Sequence, residues 1–166
     1  MTPNPLLTGY SPELLARAEA FLAGESPVER MLERYPERHD VRSNRDLFAY
    51  VQKMKARHMR SSAPLAKVSF DPRMRSIEHA LGLHITSRVS HGDRVRKRRE
   101  LRVADLFKDM PAAFLRMIVV HELAHMRHAN HDRAFYRLCC HMEPMYHQLE
   151  FDLRLLLSAQ GTNPNP

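Results

Sequence analysis

Two histidines and a glutamate stand close together in the run His121-Glu122-Leu123-Ala124-His125. At positions i and i+4 of a helix, two imidazoles leave the same face about 6 Å apart along the axis, near enough for their nitrogens to converge on one ion. Glu122 sits one residue round, outside that pair, where its carboxylate can take a proton from a water that the ion polarises. This spacing suits metal-assisted hydrolysis, with zinc as the expected ion, although imidazole sets also hold nickel, cobalt or iron.

A hydrolytic zinc site needs a third protein ligand and one open position. Three candidates follow in the chain. On an uninterrupted helix His131 would stand roughly 15 Å along the axis from His121, so the helix has to end first. A turn at Ala129-Asn130, with Asn130 left-handed, would swing it back under the ion. His128 shares the face of His121 but lies about 10 Å along the axis. Glu143 would imitate the carboxylate ligand of thermolysin-type enzymes, yet it directly precedes Pro144 at an expected helix break. Spacing alone leaves all three open.

The element that must carry the pair is a helix opened by Pro111 and running through Ala112, Phe114, Leu115, Ile118, Val119, Leu123 and Ala124. Its apolar first half predicts burial in the domain centre, where two histidines and a carboxylate with no ion would cost several kcal/mol, roughly 2–7 per unpaired group. Upstream, Ser11-Pro12 and Ser26-Pro27 predict helices over 12–23 and 27–34, with Gly24 ending the first and Ser26-x-x-Glu29 forming a capping box. Ser43-x-x-Asp46 starts a third helix, whose Leu47, Phe48, Val51 and Met54 read as a core-facing stripe.

A strand is expected over 64–70, stopped by Asp71-Pro72, and then a helical turn around 73–81. Segments 84–90 and 94–104 flank His91-Gly92-Asp93 as a β-hairpin, for three strands in all. Helices over 132–142 and 144–158 close the chain, the last carrying Leu149, Leu153, Leu156 and Leu157.

At 166 residues and 43% hydrophobic content, the chain suits one modest core. It divides into a helical N-terminal extension (1–62), a hydrolase domain (63–160) and a disordered tail (161–166). The N-terminus lacks the pattern of a secretory signal, and no apolar run approaches a membrane span, so the expectation is a soluble, cytoplasmic protein. Cys139 and Cys140 are adjacent and read as buried helix residues, neither a disulfide nor a ligand pair. The formal net charge is +7, with Arg94, Arg96, Lys97, Arg98, Arg99 and Arg102 in one run. That run suits either a solvated hairpin or an anionic partner, nucleic acid included; it has no aromatic residue for stacking on single strands.

The stretch from Phe114 to Pro144 resembles the C-terminal part of the YgjP-like zinc metallopeptidases, a compact branch of the zincins. Members carry H-E-L-x-H, five residues, an Asn-His pair and an aromatic residue on the next helix. Here those positions are His121-Glu122-Leu123-x-His125, Asn130-His131 and Phe135-Tyr136. The Trp-Gly-Ser-Cys-like segment that such proteins carry before the last strand is not recognisable near Ser87 to Ser90.

The resemblance implies an α+β, zincin-like single domain whose small three-stranded β-sheet packs on the H-E-x-x-H helix, with the N-terminal helices as an extension. It implies Zn²⁺ as cofactor, His131 as third ligand beside His121 and His125, and Glu122 as the catalytic base. Peptide-bond hydrolysis follows from it, with the strand around Glu100 to Ala104 binding an extended chain. Cleavage of nucleoside triphosphates such as UTP, described for some members, is the second expectation, the basic run neutralising the phosphates. A basic nucleic-acid-associated protein is the third. Arg133 and Tyr136, just past the third ligand, are candidates to steady a developing oxyanion.

Overall fold

The computed structural model describes residues 4–74 and 100–161. A 3₁₀ turn (Pro5–Leu7) leads into α1 (Pro12–Ala23), α2 (Pro27–Arg34) and α3 (Asn44–His58). Strands β1 (Lys67–Asp71) and β2 (Glu100–Ala104) follow, then a second 3₁₀ turn (Asp105–Asp109). Helices α4 (Ala112–His125), α5 (Arg133–Met142) and α6 (Tyr146–Gly161) complete the described residues.

Local sequence explains most of these boundaries. The Ser11 hydroxyl accepts from the Leu14 amide at the start of α1, and Gly24 caps its end. At α3 the capping box is complete, Ser43 and Asp46 each accepting from the other's backbone amide. At α2 it fails: Ser26 takes a left-handed φ of 47° and its hydroxyl makes no cap bond. That conformation turns the side chain away from the amides it was expected to satisfy. On α3, Leu47 and Val51 are fully buried, but Phe48 is 38% exposed, so the apolar stripe is narrower than its spacing suggested.

Strands β1 and β2 pair in parallel, Lys67 opposite Glu100 through Asp71 opposite Ala104. The expected helical turn over 73–81, the strand over 84–90 and the hairpin at 91–93 fall almost wholly outside the described residues. So does most of the basic run. Its described member, Arg102, lies 3.3 Å from Glu100 and 3.8 Å from Asp71, already engaged with acids.

Helix α4 is the hub. It is apolar almost all round, and nine of its residues, from Phe114 to Ala124, are buried. Strand β2 and helices α5 and α6 all pack on it, while α3 covers β1. Helix α6 in turn receives α1, α2 and the first 3₁₀ turn, so Leu6, Leu7, Ala18 and Met31 join the same core as Leu153 and Leu156. The result is the small α+β arrangement expected, with a sheet laid against the helix that carries the histidine pair. No helix among the described residues is long and apolar enough to cross a membrane.

Candidate metal centre

His121 and His125 project from the last turn of α4 with their Nε2 atoms 3.1 Å apart. The helix ends at His125 itself, through tight turns in which the amides of Arg127 and His128 both bond the Ala124 carbonyl. Among the described non-glycine residues only Ser26 has a positive φ, so Asn130 does not provide a left-handed stop. The earlier termination gives the chain enough length to fold back without one. His131 returns with its Nε2 2.9 Å from that of His125 and 3.3 Å from that of His121. Asp132 caps α5 immediately afterwards, its carboxylate accepting from the Phe135 amide at 2.9 Å.

The other two candidates lie apart from this cluster. Glu143 is ion-paired with Arg116 and accepts from the Met145 amide at 3.1 Å. His128 contributes its carbonyl, 3.0 Å from His125 Nδ1. His121 Nδ1 meets the hydroxyl of Tyr146, the first residue of α6, at 2.7 Å. His125 Nδ1–H must donate, since its partner is a carbonyl, and the Tyr146 hydroxyl can accept from His121 Nδ1–H; in that tautomer each Nε2 lone pair is left for an ion. The Cys139 thiol lies against the same Tyr146 hydroxyl, and burial pushes that thiol up to about 12, which keeps it protonated. Tyr146 was not singled out from the sequence, because no spacing links it to His121.

Phe135 supports the cluster from below. Its buried ring lies 5.0, 4.6 and 4.9 Å from those of His121, His125 and His131, fixing all three imidazoles against one apolar surface.

The donor set fits a metal. A tetrahedral zinc with Zn–N bonds of about 2.0–2.1 Å places its ligand nitrogens roughly 3.3–3.4 Å apart, close to the separations seen here. Burial holds all three histidines below the ordinary imidazole range, most strongly His121, which also feels His125 and His131. Neutral imidazole is the ligating form. Burial also pushes the Glu122 carboxyl up to about 8. Glu122 is half-buried, and its side chain has no hydrogen-bond partner among the described residues. A divalent charge beside it would draw it back toward the carboxylate. Within the described residues, His121, His125 and His131 form the one such group of potential ligands.

A small α+β unit with an H-E-x-x-H helix and a third histidine folded back onto it is the framework of a metal-dependent hydrolase. Sequence comparison agrees with that class: the model of a YgjP-like metallopeptidase domain matches residues 92–155. An Escherichia coli (strain K12) protein named UTP pyrophosphatase is 41% identical over 159 residues, spanning 96% of this chain and 95% of that protein. The chain thus belongs to the YgjP-like family and is a hydrolase. No solved structure matches it.

Proposed function

We propose that the protein hydrolyses the phosphoanhydride bond of a nucleoside triphosphate, UTP foremost, at a zinc ion held by His121, His125 and His131. The observation that carries this reading is the extent of the likeness to the protein named UTP pyrophosphatase. It runs over 96% of the chain, so it takes in the N-terminal helices and the substrate side as well as the metal motif.

When bound, the ion supplies a Lewis acid that polarises a water and a phosphoryl oxygen. The chain's own groups do the rest. Glu122 accepts the proton of the attacking water and hands it to the departing side. The water oxygen bonds to the α-phosphorus, the bond from that phosphorus to the bridging oxygen breaks, and UMP and pyrophosphate result. Tyr146 and the His128 carbonyl hold the imidazole rings in the orientation that presents Nε2. Phe135 keeps water from the back of the cluster.

The test is release of UMP and pyrophosphate from UTP by the metal-loaded protein and by its Glu122→Gln variant. The variant should keep its metal and lose about 10²–10⁴-fold in kcat, the usual contribution of a general base. No UTP cleavage by wild type, or equal cleavage by the variant, overturns the reading. Peptide-bond hydrolysis is the second reading, favoured by the description of the matching family model as a metallopeptidase domain. Cleavage of a peptide library that vanishes in Glu122→Gln, with UTP untouched, would favour it.

A further inference from the structure

The two helices that finish the metal centre each send one ring inward and the next ring outward. On α5, Phe135 lies under the three imidazoles, and Tyr136, one residue round the helix, emerges beside His131 with the ring centroids 6.4 Å apart. On α6, Tyr146 meets His121, and His147 emerges next to it. The two outward rings meet 5.3 Å apart with their planes 37° from parallel. Tyr136 is half-buried, with part of its ring against the core, and His147 is exposed, so the pair runs from the core edge out to solvent. Its aromatic surface lies at the rim of the cluster, against the most exposed of the three histidines.

We propose that Tyr136 and His147 form a stacking shelf that binds the planar base of a nucleotide whose phosphates reach the histidine cluster. This rests on the nucleotide reading above. Stacking needs a flat π-surface adjoining the reacting centre at about the distance a ribose spans, and the shelf begins one ring beyond His131. A π-face discriminates a base from no base more strongly than one base from another. The shelf therefore accounts for affinity toward nucleotides as a class. It assigns Tyr136 a substrate contact through its ring, whereas an oxyanion role would act through its hydroxyl.

The experiment is calorimetric titration of the metal-loaded full chain with UMP and with ribose 5-phosphate, which differs by lacking the base. Wild type should bind UMP about five- to ten-fold more tightly, the lower end of what one stacked base contributes. Tyr136→Ala should bring the two ligands to within about two-fold with metal content unchanged, His147→Ala should reduce the preference in part, and Tyr136→Phe should keep it. Equal binding of both ligands by wild type, or an undiminished preference in Tyr136→Ala, overturns the shelf. Loss of the preference in Tyr136→Phe also overturns it, assigning the contact to the hydroxyl. The readout is independent of turnover. A base preference without UTP cleavage leaves the shelf standing and removes the activity; UTP cleavage without a base preference does the reverse.

Discussion

Two polar clusters touch α6, one buried and one running from the buried His121 out to the exposed His131, and they are built on opposite principles. Midway along the helix every charge meets its complement from the chain. Asp152, 1% exposed, accepts from Tyr35 at 2.5 Å and Gln148 at 3.0 Å and pairs with Arg34 at 3.4 Å. Glu150 holds Arg154 at 2.8 Å, and Arg154 donates to the Leu6 carbonyl at 2.9 Å, tying the N-terminus down. At the start of the helix, beyond Tyr146, three imidazole nitrogens point at one another, and the Glu122 side chain has no hydrogen-bond partner among the described residues. A cluster that serves the fold pairs its charges, here with Arg154 Nε alone left without a partner among the described residues, because an unpaired buried charge costs several kcal/mol, roughly 3–5 when one partner is removed. The histidine cluster instead brings three acceptor nitrogens within 2.9–3.3 Å of one another, an arrangement that a shared cation satisfies.

The largest consequence concerns stability. Glu150→Ala strands the Arg154 charge in the interior and should cost about 3–5 kcal/mol. By contrast His131→Ala, at an exposed position of the metal-free protein, should stay within about 0.5 kcal/mol. Denaturant unfolding of metal-free samples measures both. Glu150→Ala should retain the metal stoichiometry of its folded fraction, and loss of metal there would merge the two clusters into one.

Acid should separate them next. His121, His125 and His131 titrate below the ordinary imidazole value when folded and near 6.5 when unfolded. Below about pH 6.5 these three imidazoles therefore bind more protons in the unfolded chain than in the native one, so their contribution to native stability is lost as pH falls from there through the depressed folded values, against the single opposing proton that Glu122, raised to about 8, binds in the native state. The melting temperature of metal-free wild type should drop across that window, and less steeply in His125→Ala. Equal slopes would mean that the imidazoles are not held neutral by the fold.

The smallest effect belongs to the tether between the clusters. Tyr146→Phe keeps the ring but removes the acceptor for His121 Nδ1–H, and should weaken metal binding by about 10-fold, measured by chelator competition. Unchanged affinity would reduce Tyr146 to a packing residue.

Much of this was legible in the residues. Serine–proline pairs and Gly24 marked α1 and α2 to the residue, and the apolar surround of α4 announced its burial. The H-E-x-x-H spacing marked the two helix histidines whose nitrogens converge. The return of His131 was not legible from spacing, since it depends on α4 ending at His125. Just past that stop the chain is engaged over a long range: Arg127 reaches Ser62 at 3.0 Å and Ser61 at 3.2 Å, some 65 residues away in the chain. Tyr146 was invisible for the same reason, because only the packing of α6 on α4 brings its hydroxyl to His121. The failed capping box at Ser26 shows the converse, a correct motif overridden by the sharp turn between α1 and α2.

The central claim is that the three histidines hold one metal ion. The direct test is elemental analysis of untagged wild type beside His125→Ala, both prepared without added metal and then titrated with zinc. The account requires about one ion per chain in wild type, as purified or after titration, and almost none in the variant. Equal and negligible metal in both, before and after titration, would contradict it.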